Sequence, residues 1–236
     1  MVMVYCEGPT EWYVVRKLNK FGILKNNSII KIDDANEHIK NNPRSITSQF
    51  LEKLPRLWTK FLLIYDQEDH PTPQDFVDSK FAHLDPWNRV TNNIFRKNLN
   101  GRIIYLHINT ALSPNGFRDF DGYLWDLINR LGPQLAQFLF NLLPQYIRNS
   151  SSRPNIYNNI HRIGTTEIPK LMQDKGFSIQ RSKGLLYAYI TALQMSKSHV
   201  WFAEKLIEVT AQNGYTNKIE QSFATLIDAW ERLLRE

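Results

Sequence analysis

The chain has 236 residues, of which 42% are hydrophobic and 22% are charged. This composition is typical of a folded globular protein and excludes an intrinsically disordered chain. The net charge is +6 and is evenly shared, since residues 1–113 carry 15 basic against 12 acidic side chains and residues 114–236 carry 14 against 11. Such a mild excess permits a nucleic-acid partner without requiring one.

Two further observations narrow the class of protein. No apolar run approaches the roughly 20 residues that a membrane-spanning helix needs, and the N-terminus has no basic region before an apolar segment, so it does not resemble a signal peptide. Cys6 is the single cysteine and lies inside an apolar run, which indicates a buried small side chain rather than a disulfide or a nucleophile. We therefore expect a reduced, cytoplasmic protein without a membrane partner.

The first half of the chain alternates short apolar runs with helical patterns. Strands are predicted in the first apolar run, which ends at Glu7, and at about 28–33, 61–65 and 102–108; helices are predicted at about 10–21, 45–58 and 87–98. Residues 71–86 contain three prolines and are predicted to be mostly irregular. Strands that alternate with helices favour a parallel sheet with right-handed crossovers. The prediction is an α/β domain over 1–113, with four parallel strands flanked by helices.

From about residue 115 onward, helical patterns dominate. Helices are predicted at about 120–131, 133–148, 165–175, 183–195, 198–212 and 217–235, with a Ser/Asn-rich connector at 149–164. The sequence has no internal repeat and no coiled-coil heptads. The prediction is a helical region over 114–236 that packs on the α/β domain.

Acidic residues follow two of the predicted strands. The first apolar run ends in Glu7-Gly-Pro-Thr-Glu11, and the third ends in Asp66-Gln-Glu68-Asp69. The carboxyl ends of parallel strands are where open α/β sheets bind ligands, so these acids are expected to lie close together. In an extended chain, Asp66 and Glu68 point to the same side. Mg²⁺ is typically held by one or two carboxylates and phosphate oxygens, so the pattern predicts a site for Mg²⁺ or Mn²⁺.

These two motifs resemble those of the TOPRIM family, in which a Glu-Gly follows the first strand and an Asp-x-Asp follows the third. The resemblance covers about residues 1–110 and is nearest to the small nuclease-like proteins of the overcoming-lysogenization-defect branch, which have a Glu-Gly-x-x-Glu first motif. It implies a TOPRIM-like fold, a Mg²⁺-dependent nuclease acting on DNA or RNA, and a role in phage defence. It also implies that Glu7, Asp66 and Glu68 are the metal ligands and catalytic residues. The chain departs from the family pattern at Glu68, where an aspartate is expected.

Other polar residues near these motifs are open to a structural as well as a functional interpretation. Glu11 lies in the first turn of a predicted helix, where it either holds a second ion or complements the helix dipole. Asp69 is a further candidate ligand, although it faces away from Glu68 if the backbone stays extended. His107 lies in the fourth predicted strand and is expected to be partly buried.

A basic, aromatic stretch suggests contact with nucleic acid. No acidic residue occurs for 40 positions between Asp126 and Glu167. Basic and aromatic side chains are interleaved there: Arg130, Tyr146, Arg148, Arg153, Tyr157, His161 and Arg162. Such residues suit phosphate contact and base stacking, although a buried apolar helix would lack acids as well. The candidate nucleic-acid-binding residues are Arg148, Arg153 and Arg162, together with Arg181 further along the chain.

Lys183 opens a later predicted helix. It is a candidate catalytic residue that would neutralise charge on a phosphoryl transition state, or it is an ordinary solvated lysine. The sequence contains no phosphate-binding loop of an ATPase. The protein would then act alone, as a homo-oligomer, or with a separate ATPase or other protein subunit. Two alternatives to a nuclease remain: an inactive TOPRIM-like module that binds nucleic acid or a nucleotide, and another metal-dependent phosphoryl-transfer enzyme.

Overall fold

The computed structural model describes residues 1–25, 30–34, 43–84, 86–110, 119–150, 155–177, 179 and 181–236. Contacts divide the chain into two compact units. Met1–Thr110 and Phe223–Glu236 form an α/β unit, and Ala111–Ser222 form a helical unit. None of the described helices has the length and apolar character needed to cross a membrane.

One mixed sheet organises the α/β unit. Its described strands are β1 (Val2–Cys6), β2 (Ile30–Asp34), β3 (Lys60–Asp66), β4 (Asn88–Arg89), β5 (Ile94–Leu99) and β6 (Arg102–Asn109), in the order β2-β1-β3-β6-β5-β4. The strands β2, β1, β3 and β6 run parallel, as predicted. The short β4 and the longer β5 add an antiparallel edge, so the predicted purely parallel sheet of four strands is only part of the observed one.

The described helices, in chain order, are α1 (Pro9–Lys20), α2 (Ser48–Lys53), α3 (Pro73–Lys80), α4 (Asp121–Leu131), α5 (Gln134–Phe138), α6 (Gln145–Ser150), α7 (Ile156–Arg162), α8 (Ile168–Asp174), α9 (Ser182–Ala192), α10 (His199–Gln212), α11 (Thr216–Ser222) and α12 (Ala224–Arg235). A five-residue π turn (Ile163–Glu167) joins α7 to α8. The predicted helix over 133–148 is divided into α5, a 3₁₀ turn (Phe140–Leu142) and α6.

The prediction of a helix over 87–98 is wrong, because that segment contains the strands β4 and β5. The strand β5 returns into β6 through Asn100 and Gly101, which have φ values of 53° and 75°. An Asn-Gly pair with both residues at positive φ favours a tight hairpin whose twist matches that of the two strands. Ile94 and Phe95 are then buried in the sheet.

The segment predicted to be irregular contains α3. Thr72 caps this helix: its hydroxyl accepts the Asp75 N–H at 3.1 Å, and the Asp75 carboxylate accepts the Thr72 N–H at 3.0 Å. Pro73 occupies the first turn, where its missing N–H costs nothing. Proline at this position therefore starts a helix rather than preventing one.

The last helix belongs to the α/β unit, whereas the prediction assigned all of 114–236 to the helical region. The helix α12 packs against β3 and β6 and buries Leu226, Trp230 and Leu233. The Trp230 indole donates to the carbonyl of Lys25 at 2.9 Å. An amphipathic helix needs an apolar surface to cover, and the sheet supplies it.

Candidate functional site

Glu7 and Asp66 meet at the carboxyl edge of two adjacent parallel strands. The pairing of β1 with β3 brings Cys6 opposite Ile64, and the Glu7 N–H continues this ladder to the Ile64 carbonyl at 3.1 Å. The Glu7 carboxylate then accepts the backbone N–H of Asp66 at 2.7 Å. Because an aspartate side chain reaches only about 4–5 Å from its own backbone nitrogen, the two carboxyl groups lie within roughly 7 Å of each other.

Asn109 adds a third strand end to this edge. It lies opposite Asp66 in the pairing of β3 with β6, and its Nδ2 donates to the Asp66 carboxylate at 2.8 Å. Asn109 is fully buried, so the bond holds Asp66 from the inside of the sheet. Sequence reasoning missed Asn109, although a polar residue at the end of the fourth predicted strand was an available signal.

Glu11 lies close to the turn that carries Glu7. It is 7% exposed, and a Cβ atom added to Gly8 would lie 2.9 Å from its Oε2. The glycine therefore leaves room for this carboxylate to fold back along the first turn of α1. A negative charge in that position is stabilised by the helix dipole, so the structural explanation for Glu11 is sufficient.

The structure separates Glu68 from Glu7 and Asp66. The backbone leaves the extended conformation after Asp66, and Glu68 has a φ of 52°, in the left-handed region. The buried Gln67 side chain closes this turn by donating to a carbonyl three residues further on, at 2.6 Å. Glu68 pairs instead with Lys80, at 3.5 Å. The expectation that Asp66 and Glu68 share one side was wrong because it assumed an extended strand.

The five predicted carboxylates do not form one cluster. Asp69 follows Glu68 in the turn and is exposed. Over the described part of the chain, no three His, Cys, Asp or Glu side chains lie close enough together to hold one metal ion. The structure therefore brings together Glu7 and Asp66 and does not add Glu68, Asp69 or Glu11 to them as a third ligand of the same ion.

Two residues beneath this edge are held neutral. His107 is fully buried, whereas the sequence predicted partial burial. Burial lowers its pKa to about 3, although a hydrogen bond to Asn109 and the charge of Asp228 act to raise it. Burial, together with the charge of Glu7, raises the pKa of the Tyr65 phenol. The charges of the edge therefore come from carboxylates and not from the buried layer below them.

The helical unit contains a second pair of acids, which sequence reasoning missed. Asp119 accepts the N–H groups of Gly122 at 2.9 Å and Ser182 at 3.2 Å. Burial and the charge of Asp119 raise the pKa of Asp121 to about 7, while Lys183 acts in the opposite direction. The Asp121 Oδ1 is buried and has no hydrogen-bond partner among the described residues. The Asp-x-Asp spacing of Asp119 and Asp121 was the signal that could have revealed this pair.

Lys183 is exposed at the start of α9, where its charge acts on groups of its own unit. Burial lowers the pKa of His199, and the charge of Lys183 lowers it further. Together they bring this pKa to about 4. The proposed role of Lys183 beside the metal stays a prediction. Arg181 precedes it, is also exposed, and lowers the pKa of Asp119 against the larger effect of burial.

One of the four predicted nucleic-acid-binding arginines, and one further arginine of the acid-free stretch, pair with the acids at its borders. Arg162 forms an ion pair with Glu167, and Arg130 pairs with Asp126 at 2.5 Å. Arg148 is exposed on α6. Arg153 lies outside the described residues. Each end of the acid-free stretch therefore has one arginine that pairs with the acid bordering the stretch in sequence.

Comparison of the chain with protein-family models, curated proteins and solved structures finds no match.

Proposed function

We propose that the protein is a Mg²⁺- or Mn²⁺-dependent nuclease that hydrolyses phosphodiester bonds of DNA or RNA, built on a TOPRIM-like α/β unit. The observation that carries this proposal is the bond of 2.7 Å from the Asp66 N–H to the Glu7 carboxylate, at the carboxyl edge of two adjacent parallel strands. The resemblance of the two acidic motifs supports the same conclusion.

The donor set of this edge fits a hard divalent cation. Mg²⁺ prefers oxygen ligands and is commonly held by one or two carboxylates, with water and substrate phosphates completing its octahedron. A carboxylate offers about four lone-pair positions, so accepting one hydrogen bond does not prevent Glu7 or Asp66 from binding a cation. When bound, the ion would polarise a phosphodiester and acidify a water molecule.

The protein side chains would divide the remaining tasks. Glu7 and Asp66 would hold the ion, and Asn109 would orient the Asp66 carboxylate through its bond of 2.8 Å. Such partners of a metal ligand typically matter about 10- to 100-fold for metal affinity or activity. The buried His107 below the edge is neutral, so it adds no positive charge that would compete with the ion.

Cleavage assays with matched variants test the proposal. The purified protein is incubated with single-stranded DNA, double-stranded DNA and RNA in Mg²⁺ or Mn²⁺, beside Glu7→Gln, Asp66→Asn and the control Glu68→Gln. We expect cleavage by the wild-type protein and by Glu68→Gln, and a loss of at least about 100-fold in the other two variants, as is common when a group that stabilises the transition state is removed.

Two outcomes would refute the proposal. Cleavage that survives both Glu7→Gln and Asp66→Asn would place the active site elsewhere. Binding of nucleic acid without cleavage of any substrate in either metal would make the protein a binding module instead of a nuclease.

A further inference from the structure

A cavity of about 570 Å³ lies within the helical unit, among α4, the π turn, α8 and the start of α9. This volume is in the range of sites that bind small molecules, which are usually apolar with a few convergent polar groups. The cavity has that composition, since Trp125 and Phe177 line it together with Asn129, Thr166, Lys170 and Gln173.

The aromatic part of the lining includes a phenylalanine in an unusual position. Phe177 is 62% exposed, whereas Trp125 is only 8% exposed. The position of Phe177 is fixed by the end of α8: Gly176 has a φ of 82° and donates to the Gln173 carbonyl at 2.9 Å, and the Phe177 N–H donates to the Met172 carbonyl at 2.9 Å. These are the bonds of a Schellman motif. A planar ligand would cover this exposed, pre-positioned ring.

The polar part of the lining favours an anion that carries hydrogen-bonding edges. Lys170 is the cation, and no acid is among the described residues that line the cavity. Asn129 and Gln173 each present an amide, which can both donate and accept hydrogen bonds. Asn129 uses one N–H on the Trp125 carbonyl at 3.0 Å, which orients its side chain.

The wall formed by the π turn follows from a close helix contact. A Cβ atom at Gly164 would lie 2.8 Å from the Tyr189 ring and 3.0 Å from its Cα, so only glycine allows this approach to α9. The wider turn places Thr165 and Thr166 in the cavity wall, and the Thr165 hydroxyl donates to the His161 carbonyl at 2.8 Å. Single π turns are often retained at functional sites despite their poorer geometry.

We propose that this cavity binds one nucleotide, either a free nucleoside monophosphate or the terminal nucleotide of a single strand. The base stacks on Phe177, the amides of Asn129 and Gln173 contact its polar edge, and the phosphate lies at Lys170. The proposal involves no bond cleavage and does not depend on the proposed nuclease activity.

Binding is measured by calorimetry in buffer with EDTA, so that a failure of the metal site cannot affect the result. The probes are AMP, adenosine, and a single-stranded eight-nucleotide adenine DNA. We expect one saturable site for AMP, with a Kd below about 1 mM. Phe177→Ala should weaken AMP and adenosine about tenfold or more, because base stacking on an aromatic ring contributes that much. Lys170→Ala should weaken AMP and leave adenosine unchanged.

Surface residues of the same segment supply the controls. Leu171→Ala and Lys175→Ala remove exposed side chains that do not line the cavity, and they should bind AMP like the wild-type protein. Thr166→Trp fills the cavity from an exposed position and should abolish binding with an unchanged circular dichroism spectrum. Displacement of the oligonucleotide by AMP would support a free nucleotide and a strand end as alternative occupants. Tight binding of the oligonucleotide alone would restrict the site to strand ends.

The proposal is overturned if neither AMP nor the oligonucleotide binds saturably. It is also overturned if folded Phe177→Ala and Thr166→Trp both bind like the wild-type protein.

Discussion

Asn109 offers a sharp test of the candidate metal site, because it touches Asp66 without being an acid itself. Replacing it with alanine removes the bond of 2.8 Å to the Asp66 carboxylate. A hydrogen bond to a charged group contributes about 1.5–3 kcal/mol to stability. Because Asp66 is only half-buried, hydrogen bonds to water replace part of what the variant loses. We expect Asn109→Ala to lower the free energy of unfolding by about 1–2 kcal/mol. With Asp66 no longer oriented, Mn²⁺ affinity should fall about 10- to 100-fold.

The control for this experiment is Asn93→Ala. Asn93 is also a buried asparagine of the α/β unit, but its side chain donates to the Ile108 carbonyl at 3.2 Å. Urea unfolding followed by circular dichroism measures stability, and Mn²⁺ titration by electron paramagnetic resonance measures affinity. Both variants should lose stability, and only Asn109→Ala should lose affinity. If Asn109→Ala binds Mn²⁺ like the wild-type protein, or if both variants lose affinity equally, the positioning role is refuted.

Three further changes have defined outcomes. Gly8→Ala places a Cβ atom 2.9 Å from the Glu11 carboxylate, which is the far end of a flexible side chain, so it should displace that carboxylate and change the free energy of unfolding by no more than about 1 kcal/mol in urea unfolding; a loss of several kcal/mol would show that the Glu11 side chain cannot move. Glu68→Gln breaks only the exposed pair with Lys80 and should change stability by less than about 1 kcal/mol. Asp121 has a raised pKa, so the folded state binds its proton more tightly and loses stability as the pH rises from about 4 to 7. Asp121→Asn should therefore raise the free energy of unfolding, measured by urea unfolding, by at most about 4 kcal/mol at pH 8 and leave it nearly unchanged at pH 4.

The sequence was sufficient to locate the edge at which Glu7 and Asp66 meet. Each residue follows a buried run of apolar side chains, and parallel pairing of such runs brings their ends together. The same reasoning could not locate Glu68, because its place depends on a left-handed backbone turn at that residue. A non-glycine residue at positive φ is uncommon, and nothing in a spacing rule anticipates it.

The misassigned segment at 87–98 shows how a local pattern is overruled by pairing with a neighbouring strand. Residues 94–99 carry enough apolar side chains for a helix, yet the hairpin turn at Asn100 and Gly101 pairs them with β6. Asp121 was missed for a different reason. Its chemistry comes from burial beside Asp119 and from the opposing charge of Lys183, which lies 62 residues further along the chain.

Residues of neighbouring strands hold Asp66 in the candidate metal site. Asp66 is held twice, by its N–H to Glu7 and by its carboxylate from Asn109. Two carboxylates fill only a minority of the six positions that Mg²⁺ requires, so water and substrate must supply the others. Metal affinity without nucleic acid should therefore be weak, and a substrate phosphate that completes the octahedron should strengthen it. By linkage, the metal must strengthen substrate binding by the same factor, so the two ligands assemble this site together.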